Sequence, residues 1–204
     1  MNDVKKILFA LIAVLGVGFL GYRVLATRHS DKFSKPMLKT PDFKFQDRSG
    51  RMVSSDELKG KVWVVDFIFT RCAGSCPILT HQMDILQQAW KGNGDLKLVS
   101  MTVDPDHDTP AVLKKYAEEV QADPSQWFFL WAPKKVIYPV IHEFKVTAEP
   151  DPEGEPGSEF IHSTRMILID GQGMMRGLYD GQDDGDMKKL WADVGYLMGS
   201  RDHT

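Results

Sequence analysis

Positions 62–69 of the chain are apolar except for one charged residue, Asp66, and they are rich in β-branched and aromatic side chains. A run of this kind without alternation predicts a strand covered on both faces, and therefore a central strand of a sheet. Small, turn-forming residues follow at 70–75, and Pro77 fits the first turn of a helix, where its missing N–H group is not needed. The pattern predicts a central strand that leads through a short turn into a helix.

Flanking segments continue an alternation of strands and helices. Positions 43–53 alternate apolar with polar residues around a Ser49-Gly50 turn, which predicts a small N-terminal hairpin. Two more buried strands are predicted at the apolar runs 96–103 and 127–131. Helices whose apolar residues recur at helical spacing are predicted after Pro77, after Pro110, after Pro133 and around 187–198.

The carboxyl-terminal third begins with a strongly acidic stretch. Residues 149–159 contain five acidic residues, three prolines and no basic residue, which predicts an exposed loop. Residues 160–169 and 174–179 then predict a hairpin around a turn at 170–173. An N-terminal hairpin, a βαβ core with two cysteines at the head of its first helix, and a closing hairpin with a last helix together predict an α/β, thioredoxin-like fold.

The amino terminus is predicted to hold the protein at a membrane. Residues 7–22 carry no charge and are flanked by lysine and arginine. A spanning helix needs about 17 to 25 residues and the core of a signal peptide about 7 to 15, so a single uncleaved anchoring helix is favoured over a signal peptide. We expect a membrane anchor at 1–26, a tether at 27–40 and one globular domain at 41–204.

The charge of the chain bears on its partners and its compartment. The formal net charge is -3, and no extended run of lysine or arginine occurs. A nucleic-acid interface therefore has no electrostatic support. Because short amino-terminal tails usually stay inside, we expect the helix in a bacterial inner membrane with the domain in the periplasm, or in the mitochondrial inner membrane with the domain in the intermembrane space.

Cys72 and Cys76 are the chain's two cysteines, and both lie at the predicted strand-to-helix turn. The unpaired N–H groups and the dipole at a helix N-terminus favour thiolate over thiol, so we expect lowered pKa values and a reactive redox dithiol. A structural disulfide is less favoured, because the loop between the two cysteines is too short for a large entropic stabilisation.

Two enzyme classes fit this pair less well. Disulfide reductases usually separate their thiols by two residues, whereas the three residues 73–75 separate Cys72 from Cys76. The peroxiredoxin pattern places a threonine three residues before the reactive cysteine, and this chain has Ala73 and Phe69 at those positions. A simple thioredoxin and a peroxidase are therefore disfavoured.

Two soft thiolates on a short loop suit Cu(I) with a third ligand, whereas structural zinc would use four nitrogen or sulfur ligands. His162 is the best candidate, because it follows the acidic loop at the start of a strand predicted beside the cysteine turn. The residues alone leave it open between a ligand and an ordinary strand histidine. His81 is predicted to face away from Cys76 on the helix, and the loop around His107 lacks the glycine and the glutamate of a calcium-binding loop.

Three stretches together resemble the Sco (SenC) family: FTRCAGSCP at 69–77, VSMTVDPDHDTPAVLKKYA at 99–117 and FIHSTRMILIDGQG at 160–173. Members of this family are thioredoxin-like copper chaperones, tethered to bacterial inner or mitochondrial membranes, that support assembly of cytochrome c oxidase. The resemblance implies copper bound by Cys72, Cys76 and His162. It also implies two partners: the copper-bearing oxidase subunit or a similar client, and a protein that keeps the two thiols reduced.

Departures from the family's pattern leave other functions open. Many members carry Pro and Asp inside the cysteine loop, where this chain has Ala73 and Gly74, and an Asp before the histidine, where it has Ile161. Branches of the family include thiol-disulfide reductases that act on copper-site cysteines, so a membrane-tethered oxidoreductase is the first alternative. A redox or copper sensor that signals through a protein partner is the second.

Overall fold

The computed structural model describes Ile12, Gly16 and residues 38–146, 148–150 and 160–199. The strands are β1 (Lys44–Asp47), β2 (Met52–Ser54), β3 (Val62–Ile68), β4 (Leu96–Thr102), β5 (Trp127–Trp131), β6 (Ala148–Pro150), β7 (Phe160–His162), β8 (Arg165–Ile169) and β9 (Met175–Asp180). The helices are α1 (Cys76–Ala89), α2 (Pro110–Glu119), α3 (Lys134–Glu143) and α4 (Asp184–Gly199), and a short 3-10 helix spans Ser55–Leu58. All these elements belong to the second of the two compact units of the chain, Met37–Thr204.

Seven of the described strands form one mixed sheet in the order β2-β1-β5-β4-β3-β8-β9. β3 lies between β4, to which it is parallel, and β8, to which it is antiparallel. β3, β4 and β5 run parallel and are connected by α1 and α2, which confirms the predicted βαβ core. β1 and β2 form the predicted N-terminal hairpin. All residues of β3 are buried, as its apolar composition predicts for a central strand.

Helices cover both faces of this sheet. On one face, the hydroxyl groups of Tyr116 on α2 and Thr80 on α1 are hydrogen-bonded at 2.8 Å, so these two helices lie side by side. On the other face, the ring of Phe144 at the end of α3 contacts the rings of Trp63 and Phe67 on β3. Because side chains alternate along a strand, Asp66 points to the face that α1 and α2 cover.

The carboxyl end of β3 and the amino end of β8 meet at one edge of the sheet. In their antiparallel register, Trp63 lies opposite Ile169 and Val65 opposite Ile167. The register therefore brings the start of β8 beside the last residues of β3. The turn that carries the cysteines leaves β3 at this same edge.

Of the predicted hairpin over 160–179, the pairing of β8 with β9 is confirmed. The strand expected over 160–169 is two strands, and β7 pairs with β6 in a separate two-stranded sheet. The first residues of the predicted acidic loop are thus strand, while 151–159 lie outside the described residues. Residues 163 and 164 separate β7 from β8, and Thr164 stays bound to the end of β9: its carbonyl accepts a hydrogen bond from Gly181 N at 2.9 Å and its hydroxyl donates to Asp180 Oδ1 at 2.8 Å.

The predicted anchor at 1–26 lies outside the described residues, apart from two isolated positions. Within the described part of the chain, no helix has both the length and the apolar character needed to cross a membrane. Residues 38–40, predicted as tether, form an antiparallel bridge from Lys39 to Met174 and a hydrogen bond of 2.9 Å from Thr40 N to Gly173 O. The globular domain therefore extends to the amino-terminal side of residue 41.

Candidate metal centre

The two cysteines lie where β3 gives way to α1. Cys76 is the first residue of α1 and Pro77 is in its first turn, as predicted. The backbone N–H of Cys76 donates to Cys72 Sγ at 3.5 Å. Both cysteines are in the thiol form; Cys72 is partly exposed, whereas Cys76 is 1% exposed. The turn thus presents one sulfur that a partner can reach and one that is shielded.

The predicted lowering of the thiol pKa is wrong for Cys76. The pKa of this thiol is raised well above its ordinary value, first by a hydrogen bond with Cys72 and second by burial. Both effects favour the neutral form, because a buried thiolate loses its hydration and a donated S–H bond is lost on ionisation. Cys72 Sγ accepts the backbone N–H of Cys76 at the start of the helix. Cys76 is therefore the shielded thiol, held in its neutral form, and Cys72 the accessible one.

A carboxylate lies buried on β3, on the face that α1 covers. Asp66 is 0% exposed, and its Oδ1 accepts a hydrogen bond of 2.6 Å from Ser100 Oγ on β4. Ser100 in turn accepts one of 2.9 Å from Trp127 Nε1. The charge of Asp66 adds to the hydrogen bond and the burial that raise the pKa of Cys76, and to the burial that raises the pKa of Tyr116 to about 12. The Asp66 carboxyl group therefore lies within electrostatic range of the buried sulfur.

The turn that carries Cys72 is bound to the connection between β4 and α2. The carboxylate of Asp108 accepts hydrogen bonds from Thr70 N at 3.1 Å and from Thr70 Oγ1 at 2.6 Å. Arg71 Nη2 lies 2.7 Å from Asp104 Oδ2. The turn is thus fixed on its amino-terminal side by two consecutive residues.

Asp104, His107 and Asp108 form a cluster whose metal-ligating atoms lie within 4.8 Å of one another. Both carboxylates already bind protein donors, Asp104 to Arg71 and Asp108 to Thr70. His107 is exposed, and its Nδ1 lies 3.0 Å from Asp108 Oδ1. These contacts agree with the sequence-based prediction of a loop and helix start at this position.

The histidines of the sequence prediction lie in different surroundings. His81 is exposed on α1, as predicted. His162 is the last residue of β7, and its backbone is paired with that of Ala148 in β6. For this strand the structure describes the backbone alone. Gly181 lies between α1 and Thr164, which follows His162 by two residues. A Cβ atom added at Gly181 would lie 3.3 Å from Thr164 O and would overlap the side chain of Leu79 on α1. The described chain next to His162 therefore reaches the first turn of α1.

A family model described as SCO1/SenC matches residues 32–198 of this chain. The chain belongs to the SCO1/SenC family. The SCO1 protein homolog of Bacillus subtilis is 34% identical over 155 residues, which cover 74% of this chain and 79% of that protein. The resemblance carried by the three sequence stretches is confirmed.

Solved structures of Sco proteins share the architecture. BsSco, a member of the Sco family of cytochrome c oxidase assembly proteins in which a disulfide switch was identified, is 33% identical, with a TM-score of 0.67 over 80% of this chain and 96% of that chain. ScoI of Bradyrhizobium japonicum, solved with copper bound, is 24% identical, with a TM-score of 0.67 over 78% of this chain and 99% of that chain. The likeness to ScoI shows the fold alone. The predicted thioredoxin-like fold is confirmed.

Sequence reasoning missed two residues that contribute to the site of this SCO1/SenC domain. The signal for Asp66 is visible in the sequence, as a lone charge in an otherwise apolar strand. Such a carboxylate needs a buried hydrogen-bond donor, which the structure supplies as Ser100. The contribution of Asp108 has no local signal, because its partner Thr70 lies 38 residues away in the chain.

Proposed function

We propose that this chain is a copper chaperone that carries one copper ion on Cys72, Cys76 and His162 to the copper-bearing subunit of cytochrome c oxidase or a similar client. The observation that carries the proposal is the pair of thiols at the head of α1, one accessible and one buried, in a SCO1/SenC domain. Copper is the cargo of such a protein. ScoI, which shares the fold, was solved with copper bound, and BsSco belongs to a family of oxidase assembly proteins.

The chemistry of the donors supports Cu(I) as the cargo. Thiolates are soft ligands that select Cu(I) over harder ions. Both sulfurs must be deprotonated to bind it, so the raised pKa of Cys76 means that copper binding releases a proton from this thiol. Asp66 also contributes to the raised pKa of Cys76, after the hydrogen bond with Cys72 and burial.

The topology supports His162 as the third ligand. β8 starts at the edge where β3 ends, and β7 precedes β8 by two residues. Thr164 lies between these strands, and Gly181 is the residue that separates it from Leu79 in the first turn of α1. A ligand at the end of β7 would therefore lie near the first turn of α1, where the two thiols are.

A thiol-disulfide oxidoreductase is the second candidate, favoured by the asymmetry of the two thiols. The accessible Cys72 suits attack on a client disulfide, and the shielded Cys76 suits resolution of the mixed disulfide that forms. In BsSco a disulfide switch was identified. The same two sulfurs serve either function.

Oxidation of the pair is expected to switch copper binding off. A Cys72–Cys76 disulfide has no thiolate left to donate, so the oxidised full-length chain should bind no Cu(I) tightly without reductant, whereas the reduced chain should bind one ion. Copper per chain after gel filtration, with and without prior reduction, measures this. Equal copper in both samples would exclude the thiols as ligands. No copper in either, together with rapid reduction of client disulfides, would establish the oxidoreductase instead.

We further propose that residues 1–26 are an uncleaved anchor and that the domain faces the periplasm or the intermembrane space. The support is the uncharged stretch at 7–22 and its poor match to a cleavage site. Amino-terminal sequencing of the mature membrane-bound protein is expected to begin at or next to Met1. A first residue at Thr27 would show cleavage and remove the anchor, while leaving export of the domain intact.

A further inference from the structure

Asp108 is a buried carboxylate that is hydrogen-bonded both to the cysteine turn and to the end of β4. It is 0% exposed, and its two oxygens accept from Thr70 N at 3.1 Å, Thr70 Oγ1 at 2.6 Å and Thr102 Oγ1 at 2.7 Å. His107 Nδ1 is its fourth polar neighbour, at 3.0 Å. Thr102 ends β4, and Thr70 stands two residues before Cys72. The carboxylate thus joins the end of a central strand to the start of the cysteine turn.

The middle of the turn is exposed. Ala73 and Gly74 are exposed, and a Cβ atom added at Gly74 would find only Cys72 Sγ, at 4.0 Å. A glycine in an exposed turn leaves the backbone wide conformational freedom. On the amino-terminal side of Cys72, the turn is held by the hydrogen bonds of Thr70, by the ion pair of Arg71 with Asp104 and by the Cys72 N–H, which donates to Phe69 O at 3.2 Å. On the other side, Cys76 begins α1.

We propose that Asp108 is a positioning residue for the Cys72–Cys76 pair, which it acts on through Thr70. By holding Thr70, it keeps Cys72 within reach of Cys76 and so raises the effective concentration of one sulfur at the other. The purpose of the pair rests on the proposed function, but the positioning does not. The engagement of both Asp108 oxygens by Thr70 and Thr102 favours this role over a metal ligand in the cluster with His107.

Asp108→Asn tests the inference in the full-length chain. The amide keeps the size of the side chain but removes the charge and replaces one acceptor oxygen by a donor, so the Thr70 hydroxyl loses its charge-assisted bond to a carboxylate or must reverse its direction. The readout is the equilibrium with glutathione: the two thiols lose two protons and two electrons as their S–S bond forms, and glutathione disulfide is reduced to two thiols. Disulfide formation should become about tenfold less favourable, the effect of losing one charge-assisted hydrogen bond. The reduction potential should be about 30 mV less negative.

Asp47→Asn is the matched control. Asp47 is also buried, at 7% exposure, and accepts hydrogen bonds from Ser49 N, Ser49 Oγ and Arg51 N in the turn after β1, which β4 and β5 separate from β3. Both variants should lose thermal stability, but Asp47→Asn should keep the parent's glutathione equilibrium. An unchanged equilibrium in Asp108→Asn, or an equal shift in Asp47→Asn, would overturn the inference.

A second pair of variants covers the case in which Asp108→Asn does not fold. Thr70→Val removes the hydroxyl donor of 2.6 Å but keeps the backbone bond, so it should shift the equilibrium in the same direction, whereas Thr70→Ser should restore the parent value. Equal equilibria in Thr70→Val and Thr70→Ser would contradict the inference. The measurement contains no copper, so a parent chain that fails to bind copper would overturn the proposed function and leave this result unaffected.

Discussion

Replacing either Cys72 or Cys76 by serine is expected to weaken Cu(I) binding by ~100-fold or more, since removal of even an outer partner of a metal ligand costs up to that factor. Serine offers a hard hydroxyl oxygen in place of the soft sulfur that holds Cu(I). Neither variant can form the intramolecular disulfide. Competition against a Cu(I) chelator, in anaerobic buffer with reductant, measures the affinity of the full-length chain.

The two serine variants should nevertheless differ from each other toward small disulfides. Cys76→Ser keeps the accessible Cys72 and should accumulate a mixed disulfide, whereas Cys72→Ser keeps a thiol that is 1% exposed. Burial both disfavours the thiolate and hinders the approach of a disulfide, so Cys76 should form its adduct more slowly than Cys72 at the same pH. Mass spectrometry of the adducts distinguishes the two. Copper affinity like the parent's in both variants, or equal adduct formation, would contradict the assignment of the site.

Copper carriage and disulfide reduction exclude each other on a single chain at a single moment. In the reductase cycle, Cys72 attacks a client disulfide, Cys76 then attacks Cys72, and the client leaves with two thiols while this chain keeps the disulfide. Copper bound to both sulfurs blocks the first step, and the disulfide blocks copper. Under either proposed function, the occupancy of the pair would decide which activity the chain shows, and both functions would require a reductant for Cys72 and Cys76.

The strand, turn and helix around the cysteines could be predicted because their signals are local. The apolar composition of β3, the small residues of the turn and the proline of α1 each constrain the few residues around them. The same holds for α2, predicted after Pro110, whose N-cap Thr109 accepts a hydrogen bond from Val112 N. Even the buried charge of Asp66 stands out against its neighbours in the sequence.

The features that escaped prediction depend on contacts between distant segments. The raised pKa of Cys76 results from burial and from its bond to Cys72, whereas the helix N-terminus alone favours the opposite shift. The division of the predicted strand 160–169 into β7 and β8 follows their different partners, since β7 pairs with β6 and β8 pairs with β3 and β9. The pairing of β6 with β7 joins a segment whose acidic and proline-rich composition resembles a loop. Composition and periodicity carry no information about such partners.

Replacing His162 by alanine is expected to weaken copper binding by at least about tenfold, or to abolish its transfer to a copper-site fragment of the client, while the fold and the dithiol chemistry persist. The physical reason is that two thiolates alone leave Cu(I) short of the third donor that a chaperone can engage and release. His162 is the last residue of β7, which pairs with β6 in a separate two-stranded sheet. Its replacement should therefore leave the seven-stranded sheet intact. Circular dichroism and the glutathione equilibrium report on the fold and the thiols, and chelator competition reports on the metal.

His81→Ala and His107→Ala are the controls, because each removes an imidazole from an exposed position of the same domain. His81 lies on α1 itself, only five residues from Cys76, so it tests whether any imidazole near the helix head suffices. Neither control should change copper affinity or transfer. His107 also contacts Asp108, the residue that holds Thr70. Its variant therefore tests whether copper binding depends on this contact or on an imidazole ligand. If His162→Ala binds and transfers copper like the parent, or if His81→Ala is the variant that fails, the third ligand has been assigned to the wrong residue, even where the two cysteines prove to be ligands.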